Sequence, residues 1–129
     1  METRNTNQKI KVLKYLKSVK THPTAEMVYL EVKKELPVIT LATVYRNLNQ
    51  LAEKGEILRL EINKEYRYDA DIDYHQHCVC NKCGKIIDLF QKEISKYCLS
   101  KIQIKDFYPN SANIIFYGDC KNCLEVKNV

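Results

Sequence analysis

The sequence predicts an α+β fold, in which an N-terminal winged helix-turn-helix is followed by a small α/β domain that carries four paired cysteines. Three observations support this prediction. Three stretches with the apolar periodicity of amphipathic helices are followed by two short runs of alternating character. The composition changes after residue 69, and two Cys-x-x-Cys pairs stand in the second half of the chain. We therefore predict two domains, residues 1–69 and residues 70–129.

The first half contains three predicted helices. Residues 8–20 place their apolar side chains on one helical face, with lysines on the other faces. Thr24 is a good N-cap for a second helix, which Pro37 ends because proline cannot continue a helix. Thr40 caps a third helix, and Gly55 supplies the left-handed residue at which such a helix stops.

A predicted hairpin follows the third helix. The alternating runs are residues 57–62 and 65–69, and the chain turns between them at Asn63 and Lys64. Three short helices and a hairpin are the outline of a winged helix-turn-helix. In that architecture the third helix enters the major groove of DNA and the hairpin contacts the backbone.

The third helix has the polar side chains that read base edges. Its periodicity places Tyr45 inward with the apolar residues, yet we include Tyr45 in the predicted contact set. Lys54, Arg59 and Lys64 are expected to meet phosphates. The alternative is a protein-binding helical domain with a solvated polar face. The predicted DNA-contact residues are Thr43, Tyr45, Arg46, Asn47 and Gln50, all outward except Tyr45.

Length and charge limit the classes of protein to which the chain can belong. Its 129 residues, 45% hydrophobic and 29% charged, suffice for one globular unit or two very small domains. It has neither the roughly 18 apolar residues of a membrane helix nor a signal-peptide core, so we expect a cytoplasmic protein. Residues 1–69 contain 13 Lys and Arg against 9 Asp and Glu, whereas residues 70–129 contain 8 against 7. The basic first half favours an acidic polymer as partner.

The two Cys-x-x-Cys pairs predict one tetrahedral zinc site. Four thiolates at this spacing suit Zn²⁺, whereas a protein in a reducing compartment has little use for disulfides. The alternatives are a redox-active pair, which would not need a second copy, and reduced core thiols, which would not fall in matched pairs. Cys78 and Cys98 lie outside the pattern, and we interpret them as small buried residues. The predicted ligands of one structural zinc per chain are Cys80, Cys83, Cys120 and Cys123.

The remaining pattern of the second half predicts a strand, a helix and a strand. Residues 85–90 and 113–117 are strand-like, residues 92–104 have helical periodicity, and a polar tail occupies residues 125–129. Two or three strands are marginally stable alone, and their exposed edges invite pairing. We therefore expect a small α/β dimerisation domain that makes the protein a homodimer.

His75 and His77 predict a second metal site. Residues two apart on a strand project from the same face, as two ligands of one ion must, and His22 is the one other histidine. Imidazoles with one or two carboxylates favour Fe²⁺, Mn²⁺, Co²⁺ or Zn²⁺ over metals that prefer thiolates. The alternative is that each histidine is an ordinary surface or core residue. The candidate carboxylates are Asp69, Asp71, Asp73 and Asp88.

Two motifs resemble the signature of the ferric uptake regulator family. The first is Leu-Ala-Thr-Val-Tyr-Arg-Asn-Leu at residues 41–48, and the second is His-x-His-x-x-Cys-x-x-Cys-Gly-Lys at residues 75–85, followed by the pair at 120–123. The resemblance runs from about residue 4 to residue 123. It implies a dimeric, metal-dependent transcription factor that binds double-stranded operator DNA. The family's N-terminal basic helix is expected to be shortened here.

Residue identities resemble the peroxide-responsive repressors of this family, which hold Fe²⁺ or Mn²⁺ with three histidines and two aspartates. Aspartate at position 88 is typical of that subtype, whereas iron-uptake regulators more often have glutamate. The resemblance implies a repressor, not an enzyme, in which peroxide oxidises His22 or His75 at bound iron. An iron- or manganese-responsive uptake regulator and, more distantly, a zinc-binding adaptor without DNA binding are the alternatives. The implied regulatory ligands are His22, Asp69, His75, His77 and Asp88.

Overall fold

The computed structural model describes residues 4–73 and 75–127. The chain divides into two compact units, Met1–Ile72 and Asp73–Val129. The first unit is a winged helix-turn-helix and the second a small α/β domain, so the predicted fold class is confirmed. Over the described residues, no helix is both long and apolar enough to span a membrane. In chain order the elements are α1 (Arg4–Ser18), α2 (Ala25–Val32), α3 (Leu41–Glu53), β1 (Leu58–Ile62), β2 (Glu65–Asp69), β3 (Gln76–Cys80), β4 (Ile86–Leu89), α4 (Lys92–Lys101), β5 (Ile115–Gly118) and α5 (Lys121–Lys127).

The three helices of the first unit pack around one apolar core. Both predicted threonine caps are confirmed: Thr24 Oγ1 accepts a hydrogen bond from the Met27 amide at 3.2 Å, and Thr40 Oγ1 accepts one from the Thr43 amide at 3.2 Å. These bonds satisfy amide groups that the first turn of a helix leaves without partners. The core combines side chains from all three helices with residues from the loops and the hairpin: Val12, Leu16, Ala25, Val28, Val32, Ile39, Val44, Leu48, Leu51, Ile57 and Tyr68.

Helix α1 ends at Ser18, two residues before its predicted end, and α2 and α4 also end earlier than the periodicity predicted. α2 stops at Val32, and a turn occupies the next three residues before Pro37. The amides of Glu35 and Leu36 still donate to the Val32 carbonyl at 3.1 Å and 3.0 Å, and proline disfavours helical backbone in Leu36, the residue that precedes it. α4 stops at Lys101 because Ile102 has an extended backbone, with φ −76° and ψ 124°. Apolar periodicity therefore overestimates all three helices at their C-terminal ends.

β1 and β2 form the predicted hairpin. The strands pair antiparallel, with Leu58 opposite Asp69 and Ile62 opposite Glu65. Asn63 and Lys64 have φ values of 55° and 65°, and a two-residue type I′ turn needs positive φ at both central positions. Tyr68 on β2 is buried in the helical core, so the hairpin is attached to the helices through this strand.

The sheet of the second unit has the strand order β4-β3-β5. β3 pairs antiparallel with β4 and parallel with β5, and α4 lies within the long connection that parallel pairing requires. Gln76 on β3 anchors the start of α4, since its Nε2 donates to Ser95 Oγ at 2.8 Å and to the Gln91 carbonyl at 3.0 Å. The predicted polar tail is helical through Lys127, and its residues 128 and 129 lie outside the described residues.

Few apolar side chains are buried in the second unit. Among its described residues, the buried hydrophobic side chains are Val79 and Cys80. Cys78, Ile87 and Phe116 lie side by side on one face of the sheet by strand register, and Ile87 and Phe116 are 45% and 44% exposed. Apolar burial within the unit therefore contributes little to its stability, and other interactions must supply the rest.

Candidate metal centres and nucleic-acid interface

Strand pairing brings the two Cys-x-x-Cys pairs to one end of the second unit. Cys80 at the end of β3 is in parallel register with Gly118 at the end of β5. Cys83 follows in the β3–β4 turn, where Gly84 has a φ of 76° that residues with a Cβ rarely adopt. Cys120 stands two residues beyond β5, immediately before α5. The convergence of the cysteines is therefore a consequence of the parallel strand pair.

The four sulfurs form a cluster of the size that a zinc ion requires. All four Sγ atoms lie within 4.8 Å of one another, and Cys83 Sγ is 3.8 Å from Cys120 Sγ. Four sulfurs at about 2.3 Å from a tetrahedral Zn²⁺ are separated by roughly 3.8 Å, as in a closed structural site. The amides of Cys83 and Cys120 donate hydrogen bonds to Cys80 Sγ at 3.5 Å and 3.4 Å, which stabilises a thiolate there. The fourth member of the cluster is Cys123.

Within the cluster, the surroundings stabilise a thiolate at Cys80 and destabilise one at Cys123. Hydrogen bonds from the amides of Cys83 and Cys120 lower the pKa of the Cys80 thiol to about 6. Hydrogen bonds with Cys120 and Cys80 raise the pKa of the Cys123 thiol to about 12. Further ionisation at Cys123 would set thiolates side by side. Full deprotonation therefore needs a cation that binds all four sulfurs, which is the role of Zn²⁺ in such a site.

His75, His77 and Asp88 form a second set of ligand groups within the second unit. His77 is opposite Asp88 across β3 and β4, so the two side chains project from the same face of the sheet. Asp88 Oδ1 lies 3.3 Å from His75 Nε2 and 3.3 Å from His77 Nε2. Two imidazole nitrogens and a carboxylate oxygen thus converge as ligands of one divalent ion would.

His75 is oriented so that Nε2 can bind a metal. Its Nδ1 lies 2.6 Å from the Asp73 carbonyl oxygen, which can only accept a hydrogen bond. In the neutral imidazole Nδ1 therefore carries the proton, and Nε2 presents its lone pair. The ring stacks on Phe90 with the centroids 4.8 Å apart, and the His77 ring lies 4.4 Å away. Packing and the hydrogen bond together fix the ligand atom in place.

His22 and Asp69 form a pair within the first unit. His22 Nε2 lies 3.2 Å from Asp69 Oδ2, and both side chains are buried. Asp69 Oδ1 accepts a hydrogen bond from the Asp71 amide at 2.9 Å, which orients the carboxylate. His22 has a φ of 53°, a left-handed conformation that is uncommon outside glycine and clusters at functional positions.

Strand β2 holds the loop that carries His22. Arg67 Nη1 donates to the His22 carbonyl oxygen at 3.3 Å, and the Tyr68 amide donates to the Pro23 carbonyl at 3.0 Å. Asp69 is the next residue of the strand, so one strand positions both members of the pair. Arg67 was not among the predicted site residues. Its place two residues before a predicted ligand on a strand is too weak a signal to identify it.

The structure therefore brings the predicted regulatory ligands together in two sets, one within each unit. Of the four candidate carboxylates, Asp69 and Asp88 lie beside imidazoles. The side chains of Asp71 and Asp73 are exposed, and the backbones of these two residues make the hydrogen bonds described above.

Most of the predicted DNA-contact residues on α3 are accessible. Thr43, Arg46 and Gln50 are exposed or half-buried, as the periodicity predicted. Tyr45 is 36% exposed, so its inward placement was wrong, and its hydroxyl donates a hydrogen bond to Glu26 Oε1 at 2.8 Å. This surface carries an aromatic ring and hydrogen-bonding groups of the kinds that can meet base edges.

Asn47 does not belong to that surface. Its side chain is 2% exposed and lies among the buried residues of α3, so the prediction that it faces outward was wrong. The helical repeat places it one turn from Val44 and Leu51, on the core side. Its Nδ2 has no hydrogen-bond partner among the described residues. A buried amide cannot reach a base edge from this position.

Arg59 connects α3 with the hairpin. Its Nη1 donates to Asn49 Oδ1 at 3.1 Å, and its guanidinium lies 4.7 Å from the centroid of the Tyr66 ring. Lys54 follows α3 and Lys64 lies in the hairpin turn, and both are exposed. The predicted phosphate-contacting cations therefore stand on solvent-exposed parts of the first unit.

The two cysteines outside the zinc pattern differ in exposure. Cys78 on β3 is half-buried, whereas Cys98 on α4 is exposed, so its interpretation as buried was wrong. The buried residue of α4 is Ser95, which receives the hydrogen bond from Gln76. This polar contact lies on the face of α4 that meets the sheet.

Comparison with known proteins agrees with this architecture. The family profile described as the ferric uptake regulator family matches residues 1–117. The chain is 32% identical over 126 residues to the peroxide-responsive repressor PerR of Staphylococcus epidermidis, covering 97% of this chain and 84% of that one. The Campylobacter jejuni peroxide stress regulator is 39% identical with a TM-score of 0.79, covering 93% and 91% of the two chains. The Helicobacter pylori ferric uptake regulator is 28% identical with a TM-score of 0.80, covering 93% and 84%. This chain belongs to the ferric uptake regulator family.

Proposed function

We propose that this protein is a metal-dependent, DNA-binding transcriptional repressor that senses peroxide through a regulatory Fe²⁺ or Mn²⁺ site. The observation that carries the proposal is the presence of two chemically different donor sets in one chain. Four thiols suit a structural Zn²⁺, whereas the imidazole and carboxylate groups suit a harder, redox-capable ion. The relatives named as a peroxide-responsive repressor and a peroxide stress regulator support the choice of signal.

We propose that one regulatory ion per chain is bound by ligands from both units. His22 and Asp69 come from the first unit, and His75, His77 and Asp88 come from the second. An ion that binds all five favours the arrangement of the units in which every ligand reaches it. If that arrangement fits two operator half-sites, metal binding raises operator affinity by population shift.

In this proposal residues 1–69 bind the DNA and residues 70–129 form the homodimer and hold the zinc. Thr43, Tyr45, Arg46 and Gln50 supply the contacts from α3 to the major groove. The exposed apolar row on the sheet and the small buried core of the second unit support its pairing with a second copy. Such a repressor acts in the cytoplasm, where it meets the chromosome, and the histidines and aspartates serve as ligands, not as a catalytic site.

Peroxide ends repression by changing a ligand. Held by these histidines and aspartates, Fe²⁺ would supply the redox chemistry that activates hydrogen peroxide, and the imidazole would supply the two electrons of the net oxidation. The net change in the chain is the transfer of one oxygen atom to an imidazole carbon of His22 or His75. A C–H bond is replaced by a C–O bond, and the second peroxide oxygen leaves as water. The oxidised imidazole is a poorer ligand, so the ion and the operator are released. Mn²⁺ holds the same ligands without this reaction.

Mass spectrometry of digested protein tests the peroxide proposal. Hydrogen peroxide added to the Fe²⁺ form should add one oxygen to a peptide containing His22 or His75, and operator binding should fall in proportion. The Mn²⁺ form is the matched control and should be unmodified. If the Fe²⁺ form releases DNA only when iron is withdrawn and gains no oxygen, the protein is a metal-uptake regulator instead.

Substitution of His22 tests the coupling between the units. His22→Ala should abolish metal-activated operator binding while one zinc per chain is retained, because the zinc ligands all lie in the second unit. Absence of salt-dependent duplex binding by the metal-loaded wild type would instead indicate the zinc-binding adaptor.

A further inference from the structure

The hydrogen bond between Tyr45 and Glu26 joins the two helices of the helix-turn-helix. The phenol oxygen is 2.8 Å from Glu26 Oε1, and the two residues are 19 positions apart in the chain. Tyr45 lies on the exposed face of α3, and Glu26 lies in the first turn of α2 and is itself exposed. The carboxylate is therefore on the surface that carries the proposed DNA-contacting side chains.

Glu26 is an unfavourable residue for the affinity of that surface. A carboxylate there repels the phosphates of any duplex and removes part of the electrostatic attraction on which non-specific binding depends. The N-terminus of α2 does favour an acidic residue. That benefit requires no partner on α3, so it does not account for the contact with Tyr45. The hydrogen bond lowers the pKa of Glu26 and raises the pKa of Tyr45, so the acceptor is ionised at neutral pH.

We propose that Glu26 is a positioning residue that holds Tyr45 in its DNA-reading conformation and thereby sharpens discrimination between the operator and other DNA. This inference rests on the proposed DNA-binding function. A side chain that is already ordered in the free protein loses little conformational entropy when it binds the operator. The smaller entropy loss corresponds to roughly a two- to tenfold gain in affinity. The repulsive carboxylate weakens binding to all sequences alike, so the gain appears as specificity and not as overall affinity.

Four single variants and one double variant of the full-length, Mn²⁺-loaded protein separate the hydrogen bond from the charge. Glu26→Gln removes the charge but keeps a side-chain oxygen that can accept from Tyr45. Glu26→Ala removes both, and Tyr45→Phe removes the donor. Glu31→Gln is the matched control, since Glu31 is an exposed acid on α2 that contacts Lys34, not Tyr45. The probes are a duplex selected from a random pool by the wild type and a scrambled duplex of the same composition.

The measured quantity is the ratio of the two dissociation constants. Glu26→Gln should bind both duplexes more tightly and leave the ratio within about twofold of the wild type. Glu26→Ala should tighten binding to the scrambled duplex and lower the ratio roughly two- to tenfold, and Tyr45→Phe should lower it similarly. Adding Glu26→Ala to Tyr45→Phe should lower the ratio no further, because the two substitutions break one interaction. Glu31→Gln should not change the ratio.

Tyrosine-selective ¹³C NMR measures the pKa of the Tyr45 phenol. This pKa would not change if Glu26 served only to stabilise the fold. The pKa of the Tyr45 phenol should fall towards its ordinary value in Glu26→Ala, whose circular dichroism should match that of the wild type. An unchanged ratio in Glu26→Ala, or a loss in Glu26→Gln equal to that in Glu26→Ala, would overturn the inference while leaving the proposed function intact. Failure of the wild type to bind any duplex would overturn both.

Discussion

Replacing Cys120 by serine should release the zinc and unfold the second unit while the first unit stays folded. Cys120 stands where the two Cys-x-x-Cys pairs meet: its sulfur is 3.8 Å from Cys83 Sγ, and its amide donates to Cys80 Sγ. Structural zinc in small domains contributes about 10–16 kcal/mol of apparent binding free energy. A folded unit of this length has a total stability of only about 3–9 kcal/mol. Because the unit buries few apolar side chains, no large core compensates for the lost ion.

The assay combines zinc analysis with ¹H–¹⁵N correlation spectra of the full-length protein. In Cys120→Ser, zinc content should fall well below one per chain, and the dispersed resonances of the second unit should collapse while those of the first unit keep their positions. Cys98→Ser is the matched control, since Cys98 is an exposed cysteine outside the cluster, and it should behave as the wild type. A Cys120→Ser protein that keeps one zinc and a dispersed second unit would refute the reasoning.

Three further substitutions test other parts of the structure. Leu48→Ala should lower the free energy of unfolding of the first unit by about 2–5 kcal/mol in urea unfolding followed by circular dichroism, because Leu48 is fully buried. Leu30→Ala, at an exposed site of α2, should change that free energy by less than ~0.5 kcal/mol. Equal effects of the two substitutions would contradict the assigned core. Thr40→Ala should cost about 1 kcal/mol in the same assay and Thr40→Ser much less, because serine can replace the cap of α3. Arg67→Met should weaken Mn²⁺ binding roughly tenfold in a competition titration, because Arg67 holds the backbone carbonyl of His22. The zinc content should not change. An unaltered Mn²⁺ affinity would show that the loop carrying His22 is held by other contacts.

Local chemistry made several features of the fold predictable. Threonine caps, the turn at Asn63 and Lys64 and the paired cysteines are each determined by residues close together in the sequence. The same holds for the spacing of His75 and His77, since alternation along a strand needs no knowledge of the rest of the molecule. These features were predictable because the interactions that produce them are local in the sequence.

Contacts between distant segments were not predictable in this way. The inward position of Asn47 and the outward position of Tyr45 depend on how α3 is rotated against the core, and its contacts with the other elements decide that rotation. The bond from Arg67 to the His22 loop joins residues 45 positions apart, and no local pattern signals it. The contact between Gln76 and Ser95 of α4 joins residues 19 positions apart, so local periodicity does not signal it either.

The parallel pairing of β3 and β5 has a consequence for biosynthesis. Cys80 and Cys83 emerge from the ribosome well before Cys120, which is 37 residues beyond Cys83. During that interval the nascent chain carries the thiols of Cys80 and Cys83 without the other two ligands of the predicted zinc site. The four-sulfur cluster can therefore form only after β5, Cys120 and Cys123 have been synthesised.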